Sequence, residues 1–258
     1  MGFQAAGFCV LKGPDLLWGQ NIKDFDASLL REHIQGIIAG VPCQRFSIAV
    51  NRNKRNEHPD LWPEFWRIVS EIRPAWILAE NVPGAQRAAV NLFNPITDYL
   101  PSYRIVDFSK LGSAQRRKRL ILFSSLGDFD NAFWQAIEKH GFKWGTQWRG
   151  KVKRKPMNKP IFRTVIGDGT MANNKSSFFS TVYGDSFEAR NISAGKPGRY
   201  LKFEELLDAF DLPYEWNLDP NELAYFSRRS KGKMVCQGVP VAAAYSLARA
   251  VRLAIHGH

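Results

Sequence analysis

At 258 residues with 45% hydrophobic content, the chain is long enough for one large domain with a real core and a smaller one beside it. A net charge of +12 and a pI near 9.8 point to a polyanionic partner, nucleic acid foremost. No apolar run approaches the ~20 residues that span a bilayer, which argues against a membrane anchor. The three cysteines, Cys9, Cys43 and Cys236, are far apart and show no metal-ligand spacing, so a reducing cytoplasmic compartment is expected and no metal.

In chain order, Met1 to Val10 reads as the end of a helix closed by Gly7, followed by a short strand. Asp15 and Asn21 lie in a stretch of turn formers. Asp26 to Gln35 looks like a short surface helix leading into the apolar run that begins at Gly36. That run reads as a buried strand ending at Gly40, where a proline-bearing loop must start. Cys43 sits on this loop, at the carboxyl end of the strand, where open α/β sheets place their chemistry. By itself it also suits a buried structural cysteine.

Asn51 to Asp60 is a polar, basic loop, and Arg52, Lys54 and Arg55 are either solvated or phosphate contacts. Leu61, Phe65, Ile68, Val69 and Ile72 mark an amphipathic helix whose apolar face should pack beside the Ile77-Leu78 strand. That second strand ends in Glu80-Asn81-Val82. One or two short helices are expected over Ala85 to Tyr99, and strands over Tyr103 to Phe108 and Leu120 to Ser124. The last strand is preceded by the cation-rich Gln115-Arg116-Arg117-Lys118-Arg119. Strand and helix alternate, which argues a parallel, doubly wound α/β sheet.

Near Gly127 the pattern changes to turn formers and aromatics. From Arg149 to Arg163 there are seven Lys or Arg and no acidic residue, which makes the segment either a solvated loop or a grip on phosphates. Val235 to Val241 then leads into a long helix, Ala242 to Ile255, with Pro240 in its first turn.

The order Pro42-Cys43-Gln44, then Glu80-Asn81-Val82, then Gln115-x-Arg117-x-Arg119 resembles the C5 cytosine-specific DNA methyltransferases. The interval from Cys43 to Glu80 equals that from Glu80 to Arg117, and both match the family's spacing. The resemblance implies a Rossmann-like, S-adenosylmethionine-dependent catalytic domain over 1–126. A smaller, irregular target-recognition domain would fill 127–234, and a C-terminal helix over 235–258 would return to the first domain. It implies double-stranded DNA as substrate and a bacterial or phage-infected cytoplasm as setting. The family's glycine-rich loop, which cradles the methionine part of the cofactor, has no counterpart here, since the chain opens inside the following helix. Three explanations stand open: a shortened polypeptide, a second chain that supplies the strand and loop, or a loss of tight cofactor binding.

Residue by residue, the resemblance places Phe8, Asp15, Asn21, Ile22, Pro42 and Gln237 around the cofactor. Asn21-Ile22 stands where the family has the Asp-Ile pair beside the adenine, and Gln237 where it has an Asn; Asp15 and Asn21 also read as plain turn residues. Pro42, Gln44, Ser47, Asn81, Val82, Gln115, Arg149, Lys153 and Arg154 are the expected substrate contacts. Phe210-Asp211-Leu212-Pro213 departs from the family's Gln-Gly-Phe-Pro.

Chemically, carbon 5 of cytosine is a poor nucleophile until carbon 6 has been attacked. The Cys43 thiolate would add there, aided by Arg117 and Arg119. Glu80, kept protonated by burial, would donate to N3. Arg117 would approach the base carbonyl, and Arg119 the loop or a phosphate. The cytosine must first leave the duplex stack. The alternative of a different kind is a DNA-binding pseudo-methyltransferase with the same fold and no transfer; a plain Glu80–Arg117 ion pair also fits these residues.

Overall fold

The structure is a computed structural model that describes residues 1–11, 21–47, 52–91, 98–115, 117–139, 182–183, 186–188, 200–202, 207–212, 235–236 and 238–257. Two compact units emerge. One comprises Met1–Ala6, Asp107–Arg117 and His140–Ala248, the other Gly7–Val106, Lys118–Lys139 and Arg249–His258.

The second unit holds a four-stranded sheet in the order β1-β2-β4-β3. Its strands are β1 (Gly36–Gly40), β2 (Trp76–Asn81), β3 (Ser102–Asp107) and β4 (Lys118–Ser125). β1 runs parallel to β2, with Gly36 opposite Trp76 and Gly40 opposite Glu80. β4 is inserted antiparallel to β2, so the sheet is mixed where strand–helix alternation predicted a parallel one. The reason lies in the connection: no crossover helix stands between β3 and β4, only a 3-10 turn over Phe108–Leu111, and parallel neighbours need a long crossover.

The amphipathic helix forms as expected, as Trp62–Ile72, and follows the short α1 (Gly2–Ala5), so it is α2 here. Pro63 sits in its first turn, the Trp62 N–H donates to the Asp60 carboxylate at 3.0 Å, and Arg73 closes it in a left-handed conformation. Its Trp62, Phe65, Trp66 and Val69 join Val41, Ile77, Ala79, Leu120 and Leu122 in the core. Burying such a set removes most of its apolar surface from water and is the main force holding β1, β2 and α2 together. After the turn Pro83–Ala85 comes α3 (Gln86–Asn91).

The helix α4 (Asp130–Lys139) lies beyond position 126, where helical pattern was expected to end, yet belongs to the sheet's unit. Phe133 stacks on Phe123 of β4 at 4.1 Å between centroids, and the Trp134 indole N–H donates to Ser102 Oγ at 2.6 Å. The Asp130 carboxylate accepts from the hydroxyls of Ser102 and Ser125. Residues 27–30 form a 3-10 turn rather than the helix expected over 26–35, with Asp26 as its cap. No strand forms over 8–10.

In the first unit, Gly7 lies outside the boundary at Ala6, and its φ of +89° explains why α1 stops there. The strands β5 (Val182–Tyr183), β6 (Ser186–Glu188) and β7 (Tyr200–Lys202) make a small antiparallel sheet, in the region where the sequence suggested only irregular structure. Helix α5 (Val241–His256) contributes its residues through Ala248 to this unit; Ser246 Oγ donates to the Leu111 carbonyl at 2.8 Å. Among the described residues no helix is long and apolar enough to cross a membrane.

Candidate active site

Register decides where the site forms. Gly40, the last residue of β1, pairs with Glu80, so the loop that follows leaves the sheet beside that carboxylate. The loop then folds back on Cys43, whose carbonyl accepts from the N–H groups of Phe46 (2.9 Å) and Ser47 (2.8 Å). Asn81 ties it down from β2: Nδ2 donates to the Val41 carbonyl at 3.0 Å, and Oδ1 accepts from the Val82 N–H at 2.8 Å. Gly84 closes the other side, since a Cβ there would stand 2.5 Å from the Phe46 carbonyl oxygen. Arg45 reaches outward, donating from Nη1 to the His58 carbonyl at 3.2 Å, and so links this loop to the basic turn Arg52–Glu57.

Glu80 faces Ile121 across the antiparallel pair, which places Arg119, two residues earlier on β4, diagonally beside it on the same face. Arg119 Nε and Glu80 Oε1 stand 2.8 Å apart, with side chains 12% and 16% exposed. Burial pulls the Arg119 guanidinium down from its ordinary value, while the charges of Glu80 and Cys43 pull it back up. Cys43, Glu80 and Arg119 therefore form one electrostatic cluster at the carboxyl ends of β1 and β2.

Several expectations change. The arginine beside Glu80 is Arg119, not Arg117. Arg117 is 4% exposed, donates from Nη2 to the Cys236 carbonyl at 3.0 Å, and lies over the Phe210 ring at 5.3 Å. Arg119 lies inside β4, two residues before Ile121, the partner of Glu80, whereas Arg117 precedes the strand and belongs to the other unit. Gln115, expected to touch DNA, is fully buried, and its Nε2 donates to the Ala209 carbonyl at 2.9 Å. It fastens a turn instead. Asn81 is likewise 1% exposed and holds the Cys43 loop from within. Glu80, expected to stay protonated, rests in an ion pair, which favours its carboxylate form.

Pro42 and Gln44 are exposed, Ser47 is half-buried, and Val82 packs at the edge of the core. Phe8 meets Trp76 edge to face at 5.6 Å. Asn21 caps the turn Ile22–Asp24 through its Oδ1, which accepts from the Lys23 N–H at 3.1 Å. Asp15, Gln237, Arg149, Lys153 and Arg154 lie outside the described residues. Sequence reading missed Gly84, whose adjacency to Pro83 marked a turn, and the Arg45 tether, which no sequence signal marks. Among the described residues no three His, Cys, Asp or Glu side chains gather to hold a metal ion.

A family model described as C-5 cytosine-specific DNA methylase matches residues 18–177. The type II methyltransferase M.HgiDI of Herpetosiphon aurantiacus is 25% identical over 286 residues, covering 98% of this chain and 90% of that protein. M.HgiGI, a type II methyltransferase of the same organism, is 31% identical over 109 residues, covering 35% of this chain and 86% of that protein. Among solved structures, the Entamoeba histolytica methyltransferase EhMeth superposes with a TM-score of 0.56 at 12% identity, over 90% of this chain and 82% of that one. The S. pombe Dnmt2 methyltransferase gives 0.53 at 13% identity, over 93% and 86%. These two likenesses are of fold, and the doubly wound methyltransferase class is the one they share with this chain.

Proposed function

Since the chain belongs to the C-5 cytosine-specific DNA methylase family and is a DNA (cytosine-5-)-methyltransferase, we propose that Cys43, Glu80 and Arg119 carry its chemistry. The observation behind this assignment is the 2.8 Å Arg119–Glu80 pair beside the Cys43 loop. Cys43 Sγ adds to carbon 6 of a cytosine turned out of the duplex, and the ring takes up negative charge. That charge makes N3 basic; Glu80, a carboxylate at rest, takes a proton from solvent as the base enters and passes it to N3, while Arg119 holds the carboxyl and offsets the charge. Carbon 5 then takes the methyl group, and loss of its hydrogen to a base expels the thiolate.

S-adenosylmethionine, on which the family depends, supplies a methyl group activated by a sulfonium. The residues present fit it: the exposed Asn21 Oδ1 is an acceptor for an adenine amino group, and half-buried Ile22 offers an apolar edge. A Cβ at Gly40 would meet nothing within 4 Å, so there is room where β1 opens toward Cys43. We assign Asn21 and Ile22 to the adenine, and the exposed Pro42 and Gln44 to the boundary between cofactor and base. Lys54 and Arg55, on the turn that Arg45 tethers, suit DNA phosphates.

The test is methyl transfer from labelled S-adenosylmethionine into a pool of randomised duplexes. Covalent capture on 5-fluorocytosine duplexes is read in parallel. Cys43→Ser and Arg119→Ala should abolish both. Transfer that survives Cys43→Ser would overturn the assignment.

A further inference from the structure

Helix α2 carries Glu64, Arg67 and Glu71 along one stripe, beside the apolar row that packs inward. The Arg67 guanidinium is spread over four acceptors. Nε bonds Glu64 Oε2 at 2.8 Å, and Nη1 reaches Glu71 Oε1 at 2.7 Å and the Phe25 carbonyl at 3.0 Å. Nη2 donates to the Ile22 carbonyl at 2.8 Å. Glu71 spends its other oxygen on the Ala27 N–H, at 3.0 Å. Beneath these bonds Phe25 and Ala27 are buried with Ile72, and Ile37 and Ile68 pack around them. Three backbone groups of the 22–27 segment thus hang on two side chains of α2.

A part-exposed ion pair alone contributes little. The arrangement on α2 is different in kind. The two carboxylates fix the plane of the guanidinium, and its remaining donors are aimed at backbone carbonyls, which sets the height of the segment over the helix. The Ile22 carbonyl is one of those two, and Ile22 opens the turn that Asn21 caps.

We propose that Arg67 is a positioning residue for the cofactor: it holds Asn21 and Ile22 at the level where the adenine sits. This rests on the assignment of that pair to the adenine made above. Arg67 bonds only Glu64, Glu71 and the backbone of Phe25 and Ile22 among the described residues, so its loss should act on cofactor affinity through that segment and spare the covalent step.

Calorimetry with S-adenosylmethionine on the full chain compares wild type with Arg67→Met, Arg67→Lys and Ile22→Ala. Capture on 5-fluorocytosine duplexes at saturating cofactor and far-ultraviolet dichroism are measured on each. Arg67→Met should weaken the cofactor about tenfold, the scale of one lost hydrogen bond to the adenine, with saturated capture unchanged. Arg67→Lys should fall between, because an ammonium keeps the charge between the carboxylates but cannot fork to both carbonyls. Both variants binding like wild type, with Ile22→Ala weakened, would overturn the positioning role and leave the adenine assignment standing. Ile22→Ala binding like wild type overturns that assignment and this inference with it, as does a wild-type chain that takes up no S-adenosylmethionine. A fall in saturated capture as large as the fall in affinity marks general damage and also refutes the role. Should Arg67→Met fail to fold, the lysine variant decides by the same comparison.

Discussion

Replacing Asn81 by alanine removes its side-chain bond to the Cys43 loop, at the Val41 carbonyl, and its bond to the neighbouring Val82 N–H. The Val41 carbonyl loses its 3.0 Å donor and the Val82 N–H its 2.8 Å acceptor, at a side chain only 1% exposed. Each orphaned group costs about 1–3 kcal/mol when water cannot replace the partner, so the two together cost about 2–6 kcal/mol. The alanine no longer desolvates an amide, which returns part of that, and about 2–4 kcal/mol is the expected net loss. Against a total stability of about 5–15 kcal/mol this is large. With a urea slope of about 2 kcal/mol per molar, the midpoint should fall by about 1–2 M. Capture on 5-fluorocytosine duplexes should fall as well under conditions where the variant remains folded, because the Cys43 loop has lost its bond from Asn81 at the Val41 carbonyl. A midpoint within about 0.25 M of wild type, with capture intact, would show that this side chain does not hold the loop, and the reasoning would fail.

Glu80→Gln should cut methyl transfer by about 10²–10⁴-fold, the range of a lost proton donor, with DNA affinity at fixed salt retained; unchanged transfer rates would remove Glu80 from the chemistry. Gly84→Ala places a methyl 2.5 Å from the Phe46 carbonyl, so the 44–47 turn must move; capture by Cys43 should slow while far-ultraviolet dichroism stays native. Burial raises the Asp130 carboxyl above its ordinary value of 3.8 despite the Ser102 and Ser125 hydroxyls. Its contribution to stability is therefore fully present below pH 3.8 and is lost as pH rises through the raised value. Asp130→Asn should remove that loss, which urea unfolding of wild type and variant between pH 3.5 and 6 would reveal as a difference in slope against pH.

The reach of the sequence differs from element to element. Helix α2 was legible because Leu61, Phe65, Ile68, Val69 and Ile72 recur at helical spacing. β1, β2 and β4 were legible as apolar runs, and Cys43, Glu80 and Arg119 as members of ordered motifs. The antiparallel insertion of β4 was not, because an apolar run carries no direction; only pairing with β2 assigns one. The motif gave Arg117 the base carbonyl and Arg119 the loop or a phosphate, and for a similar reason it could not tell which of them stands beside Glu80. A motif fixes which residues are near one another along the chain, and a sheet register fixes which of them faces Glu80.

What the residues alone determine about this protein is local: periodicity, turn chemistry, charge, and the family motifs in their order. Tertiary structure decides the rest. It puts Gly40 opposite Glu80, buries Gln115 against Ala209 and Arg117 against Cys236, and hangs the Ile22 turn on Arg67. Each of these joins positions separated by tens of residues, and the energy of such a contact depends on burial and geometry that no stretch of sequence contains by itself.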